Sequence, residues 1–289
     1  MLLLFLASIG FIIIYRITNS ITNLTSQIKR ISGRNLEQRI QSIHSQDEIG
    51  ELANAFNSLL DRLKQAFDRE QQFIADVAHE MKTPLATLRT TFEVALSKER
   101  TKDEYKKAIE AAIVEADQLS STLKDVLDLA WSESPTEQKP MTQLNLTELM
   151  EELGDIAQKL ATKKHITVKT NLVKNSVING YKEKLAQAVM NVIENAIKYT
   201  PSNGKVSITL EKLHAKAIIT ITDTGNGIAQ EDIPHIFDRF YRGAKTDKVF
   251  GSGLGLAISK SIITLHQGYI AIESTPKRGS TFTITLPEV

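Results

Sequence analysis

Apolar and polar positions divide the chain into four regions. Residues 1–15 carry no charged side chain and read MLLLFLASIGFIIIY. As a helix, these fifteen residues span roughly 22 Å, less than the ~30 Å hydrocarbon thickness of a bilayer. The expectation is therefore the inner part of a membrane helix, with its outer part lying before it. Basic residues follow the run, at Arg16, Lys29, Arg30, Arg34 and Arg39, which predicts that everything downstream is cytoplasmic. A signal peptide would instead place its charge first and a small-residue cleavage site afterwards.

Helical spacing dominates the next region. Ile21, Leu24, Ile28 and Ile31 form an a/d seam, Gly33 is expected to stop it, and a second seam of Ile49, Leu52, Phe56, Leu59 and Leu63 starts at Asp47. Both seams imply a dimer. A third helix is expected over 67–99. The pair Thr101 and Glu104 then reads as a capping box that opens a fourth helix, striped by Tyr105, Ile109, Ile113, Ala116, Leu119, Leu123 and Val126. An antiparallel hairpin results, and two such hairpins would close a four-helix bundle.

After Trp131 the stretch SESPTEQKP has the composition of a linker. Beyond it, β-rich runs at 166–170, 206–210, 217–222, 269–273 and 281–286 alternate with helical patterns at 146–161 and 182–199. This predicts an α/β sandwich with one helical layer on one sheet.

Composition and charge narrow the chemistry. The 289 residues contain no cysteine, which excludes disulfides, thiolate metal sites and cysteine nucleophiles. A net charge of +1 gives no pull toward nucleic acid, and none is expected as a partner. Of six histidines, His44, His165, His214, His235 and His266 read as structural or solvent-facing. His79 stands in FIADVAHEMKTPL, outside the apolar positions Ile74, Val77, Met81, Leu85 and Leu88, so its imidazole is expected to face solvent. Glu80 can accept a hydrogen bond from one ring nitrogen, leaving the other as a nucleophile and supplying a base. Thr83, one turn on, can orient water for the reverse hydrolysis. Pro84 should loosen the helix just beyond. A metal site of the HExxH kind is excluded because position 83 is threonine.

Four later segments suit a nucleotide, although neither a P-loop nor a GxGxxG motif is present. Asn191 and Asn195 share one face of a helix, where Mg²⁺ and phosphates could partner their amides, Asn195 being the expected metal ligand. Lys198 can meet a phosphate and Tyr199 can offer its ring to a base. Asp223, at a strand end before Gly225 and Gly227, can accept an adenine amine. Arg239, Phe240 and Arg242 form an aromatic and basic cluster. Gly251, Gly253, Leu254 and Gly255 precede a helix and expose backbone N–H groups to an anion. The long segment between Gly227 and Gly251 reads as a lid.

In order and spacing these segments resemble the H, N, G1, F and G2 boxes of HisKA-type sensor histidine kinases, and Gly279-Ser280-Thr281-Phe282 resembles their final glycine-containing box. Residues 17–69, with DEIG and AFNSLLDRL, resemble a HAMP relay domain, or else a generic coiled-coil stalk. The proline usual near such a domain's start is absent, Asn19-Ser20 standing there instead. The resemblance implies a multidomain membrane protein: a membrane helix at 1–16, HAMP at 17–69, a dimeric phosphoacceptor hairpin at 70–131, a linker at 132–141 and a GHKL (Bergerat) ATP-binding domain at 142–289. It also implies ATP and Mg²⁺ as cofactors, a homodimer, a cytoplasmic-membrane location, and transfer of the phosphoryl group from His79 to an aspartate of a response regulator. Thr281 enters the nucleotide-binding set on the same ground. The family often shows Gly-Asp before the N-box helix; this chain has Gly180-Tyr181, which is expected to be tolerated. A regulator phosphatase with little kinase activity and a non-catalytic scaffold are the rival readings.

Overall fold

The computed structural model describes residues 1–32, 35–41, 48–133, 140–243 and 251–289. The helix stop at Gly33, the helix start at Asp47, His44, most of the expected linker and the end of the expected lid lie outside the described residues. Two compact units divide at Asp76 and Val77.

In the first unit, α1 is one helix, Leu2–Arg30, of 29 residues. The apolar run does not end a helix at residue 15 or 16 but continues into the first of the two seams. By length and composition α1 is sufficient to cross a membrane. The helix α2, Glu48–Leu96, has 49 residues and merges the second and third expected helices into one. The second seam divides. Ile49 and Phe56 pack against Leu24, Ile40 and Ala53, whereas Leu52, Leu59 and Leu63 are exposed. Residues at 3–4 spacing share a broad face, and within one chain only half of it is covered. The connector is fastened to α2 by Asn57, whose Oδ1 accepts from Ile40 N–H at 2.9 Å and whose Nδ2 donates to Ile40 O at 3.1 Å.

The second unit opens with the rest of α2 and with α3, Lys102–Glu133. Pro84 lies inside α2 without interrupting it. The expected capping box is present: Glu104 Oε2 accepts from Thr101 N–H at 2.9 Å, and Glu104 N–H donates to Thr101 Oγ1 at 3.3 Å. Arg100 closes the preceding end, donating through Nη2 to Val94 O at 2.8 Å, as a cation suits a helix C-terminus. The apolar stripes of both helices stay uncovered at Ile74, Leu85, Ile109, Ile113, Leu123 and Leu127.

The α/β portion follows as β1 (Thr142–Asn145), α4 (Leu146–Thr162), β2 (Thr167–Leu172), β3 (Val177–Gly180), α5 (Lys182–Tyr199), β4 (Lys205–Leu213), β5 (Lys216–Asp223), α6 (Gly255–Leu265), β6 (Tyr269–Thr275) and β7 (Gly279–Pro287). One sheet has the order β2-β4-β5-β7-β6, with β2 parallel to β4 and the other pairs antiparallel; β1 and β3 form a separate pair. Alternation along the strands builds the core. Ile208, Ile221 and Phe282 are in register across β4, β5 and β7, as are Leu210, Ile219 and Ile284, and all six are buried. Leu149 and Leu153 of α4, Val189 and Val192 of α5, and Ile258 and Ile262 of α6 supply the helical layer. The sheet therefore carries three helices: the two read from periodicity and the one expected after the glycine-rich turn.

Candidate functional site

The alternation that buries Ala217, Ile219 and Ile221 carries on to Asp223, the last residue of β5. A carboxylate thus stands on the helix-facing side of the sheet, where a hydrophobic residue would continue the pattern. Its Oδ1 accepts from Gly225 N–H at 2.7 Å. Burial pushes the Asp223 carboxyl up, offset in part by backbone hydrogen bonds from Gly225 and Ser280. A carboxylate offers about four lone-pair directions, so capacity remains for a ligand amine. Gly279, with φ of 98°, lies so close that a Cβ would come within 1.9 Å of Asp223 O. That requirement ties the final glycine-containing segment to the end of β5, and Thr281 Oγ1 meets Thr222 Oγ1 at 3.2 Å beside it.

The other expected segments converge on α5. A Cβ on Gly225 would lie 2.6 Å from Tyr199 O, and Asn226 N–H donates to that same carbonyl at 3.3 Å. A Cβ on Gly251 would lie 2.8 Å from Lys198 Nζ. Asn191 Nδ2 donates to Gly255 O at 3.0 Å. Gly253 has φ of 73° and backs onto Phe240, itself at φ of 60°. Two turns of α5 are therefore flanked by the strand end carrying Asp223 and by the glycine-rich turn before α6. Gly227, also at positive φ, backs onto the carbonyl of Thr275, and Ile228 N–H is held by Ser274 Oγ at 2.8 Å.

Two cations and a carboxylate meet at this junction. Burial lowers the Lys198 ammonium, the neighbouring Arg242 lowers it further, and Glu194 offsets the two. Burial also raises the Tyr199 phenol. Two cations close enough to disfavour one another's charge favour an incoming anion. Asn195 is half-buried, and its side-chain amide has no hydrogen-bond partner among the described residues. An amide oxygen suits the hard, oxygen-seeking Mg²⁺, so the residues present fit that ion. Among the described residues no cluster of three or more His, Asp or Glu offers an all-protein metal cage.

His79 is exposed on α2. It lines a groove of about 740 Å³ between α2 and α3 together with Lys82, Thr83, Thr87 and Arg100. Thr83 Oγ1 donates back to His79 O at 3.4 Å. Adjacent helix positions do not face each other, and among the described residues no hydrogen bond joins His79 to Glu80.

Several contacts of this region carry no local sequence signal. Lys164 Nζ donates to the carbonyls of Ile197, Lys198 and Thr200 at 3.1, 2.7 and 3.2 Å, closing the C-terminus of α5. His266 is 2% exposed, with Nδ1 bonded to Ile262 O at 2.7 Å and Nε2 accepting from Tyr181 N–H at 3.0 Å. Burial lowers the imidazole, and the Ile262 bond partly offsets this; the role is structural, as expected of this histidine.

Comparison with known proteins agrees with the geometry. Residues 180–289 match the histidine kinase-, DNA gyrase B- and HSP90-like ATPases, residues 69–135 the His Kinase A (phospho-acceptor) domain, and residues 12–65 the HAMP domain. The chain is 32% identical over 272 residues to the sensor protein IrlS of Burkholderia pseudomallei, covering 91% of this chain and 57% of that one. It is 31% identical over 269 residues to the sensor histidine kinase CusS of Escherichia coli, covering 92% and 56%. The chain thus spans little more than half the length of these relatives. Among solved structures, histidine kinase ThkA in complex with response regulator protein TrrA superposes with a TM-score of 0.63 at 25% identity, covering 78% of this chain and 64% of that one. With its glycine turns, N-box helix and buried strand-end aspartate in this arrangement, the chain belongs to the HisKA-type sensor histidine kinases.

Proposed function

We propose that this chain phosphorylates its own His79 from Mg·ATP and passes the phosphoryl group to an aspartate of a response regulator. The observation that carries the reading is the convergence of Asp223, α5 and the 251–255 turn beside the cations Lys198 and Arg242, with an exposed histidine on the helical hairpin of the same chain. Adenine is held by Asp223, with Thr281 and the glycines at 225 and 227 shaping its pocket. Lys198, Arg242 and the amides of 251–255 hold phosphates, and Tyr199, Arg239 and Phe240 border the nucleotide. Asn195 would hold Mg²⁺, which supplies charge neutralisation at the phosphates. A ring nitrogen of His79 attacks the γ-phosphorus, the bond from phosphorus to the ADP oxygen breaks, and Glu80, brought to the imidazole by a change of side-chain rotamer, takes the proton of the other ring nitrogen. Positioning and charge neutralisation carry the rate.

The uncovered stripes on α2 and α3 support a homodimer whose partner hairpin completes a four-helix bundle. The division into membrane helix, HAMP, phosphoacceptor hairpin, linker and ATP-binding domain at 1–16, 17–69, 70–131, 132–141 and 142–289 is proposed with it, as is residence in the cytoplasmic membrane through α1. ThkA is found in complex with a response regulator; the same class of partner is proposed here. A second reading, dephosphorylation of the regulator, is favoured by Thr83 sharing the groove of His79.

Incubation with γ-³²P-ATP and Mg²⁺ tests the first reading. Label on the protein that is lost in acid and kept in alkali supports a phosphohistidine, and its disappearance in His79→Ala locates it. Persistent label in that variant, or none in the wild type despite ATP binding, overturns the kinase reading. Asn195→Ala should abolish labelling through weaker Mg·ATP binding; unchanged nucleotide affinity in magnesium removes it from the metal role.

A further inference from the structure

The last turns of α3 carry a second buried stripe, distinct from the uncovered one. Thr122, Leu129 and Ser132 are buried at 5%, 1% and 6% exposure, whereas Leu123 and Leu127 remain at 46% and 62%. What covers the stripe is the α/β portion of the same chain. Asp128 accepts from Lys184 at 2.7 Å and also from Gln187, two residues of the first turns of α5. Trp131 meets Tyr181 edge-on, with centroids 5.4 Å apart, and Lys184 Nζ stands 4.6 Å from the Trp131 ring centre. Ser132 Oγ donates to Ser261 Oγ of α6 at 2.9 Å. The departure from the family's Gly-Asp, Tyr181, is thus the residue that seats Trp131.

One contact of this surface reaches the nucleotide site. Ser252 Oγ donates to Asp125 Oδ2 at 2.7 Å, and the same hydroxyl accepts from Leu254 N–H at 3.2 Å. A carboxylate on α3 therefore sits within hydrogen-bonding distance of the turn assigned to phosphates, and one of that turn's amides is already occupied. Phosphates entering here meet a like charge and must displace a bonded hydroxyl.

We propose that Asp125, through Ser252, makes the seating of the nucleotide domain on the 122–132 face of α3 and the binding of nucleotide compete. Apart from Leu129 and the Trp131–Tyr181 pair, the contacts of this surface described above are polar, which suits a contact that forms and releases. This inference rests on the ATP reading above, and the test separates the two.

Because the chain has no cysteine, the double variant S132C/S261C in the detergent-solubilised 289-residue chain gives a clean reporter. Mild oxidation should produce an intrachain disulfide that migrates as monomer on a denaturing gel. The oxidised form should bind a non-hydrolysable Mg·ATP analogue at least fivefold more weakly than the reduced form. In the otherwise wild-type chain, Asp125→Ala should tighten the same analogue threefold or more. Failure to cross-link, or a disulfide formed between chains, overturns docking within one chain. Equal affinity of oxidised and reduced forms, or unchanged or weaker binding in Asp125→Ala, overturns the competition. No analogue binding in either form overturns the ATP reading, and this inference with it.

Discussion

The backbone N–H of Tyr181 donates to Nε2 of His266 across a distance of 3.0 Å, joining the start of α5 to the end of α6. The geometry requires the neutral imidazole with its proton on Nδ1, where Ile262 O accepts it at 2.7 Å. Burial holds His266 below the ordinary histidine value of 6.5. Above that pH the ring is neutral in folded and unfolded chains alike, and its contribution to stability is complete. As pH falls below it, the unfolded chain takes up a proton that the folded chain refuses, so stability declines. Thermal unfolding should therefore lose midpoint between pH 7 and pH 5. His266→Phe should cost about 1–3 kcal/mol at pH 7 by leaving buried polar groups unpaired and should flatten that part of the pH profile. A profile equally steep in the variant assigns the decline to another group.

Asp223 has the opposite sign. Burial raises its carboxyl, so ionisation at neutral pH opposes folding, and stability from this group grows as pH falls through its folded value. Asp223→Asn should raise the unfolding midpoint at pH 7 while nucleotide binding, read by titration with an ATP analogue, is lost or weakened more than tenfold. A variant less stable than the parent contradicts the burial argument. One that binds normally removes Asp223 from adenine recognition.

Strong periodicity made much of this architecture legible. The helix expected over 182–199 is α5, Lys182–Tyr199, because apolar positions recur at helical spacing between a strand and a proline. The strands β4, β5 and β7 follow from their alternation. By contrast β1 and β3 are four residues each, TQLN and VING, too short to show a period. The merging of two expected helices into α2 shows that a change of partner along a helix looks, in sequence, like a change of helix. For the site, glycines marked the turns that must approach α5 closely, and residue type marked Asp223 against its apolar strand. Asp125, Trp131 and Lys164 were silent, since each acts through a partner more than thirty residues away in the chain, and spacing encodes only near neighbours.

Lys164 illustrates such a silent contact. Its ammonium satisfies three carbonyls at the end of α5, where a helix leaves its last carbonyls without an intrahelical partner and a cation suits the dipole. Lys164→Met should lower stability by about 1–3 kcal/mol in urea unfolding. It should also raise the KM for ATP, because Lys198 and Tyr199 lie on the turn it closes. Lys164→Arg should restore most of both. Loss of stability with an unchanged KM would confine the residue to a folding role.

Thr83 separates the two directions of the proposed chemistry. It is exposed, one turn beyond His79, and among the described residues its hydroxyl makes only a 3.4 Å bond to His79 O. A bond that long and exposed contributes little to the helix, so Thr83→Ala should leave folding and the labelling of His79 near wild type. If the hydroxyl orients the water that hydrolyses the regulator's acyl phosphate, the variant should dephosphorylate a pre-phosphorylated regulator at least tenfold more slowly. The comparison uses one protein preparation and two assays, so misfolding would depress both rates together. Loss of labelling alongside loss of hydrolysis would instead mean that Thr83 shapes the environment of His79 itself. Hydrolysis at the wild-type rate would leave the groove without a role in the reverse reaction.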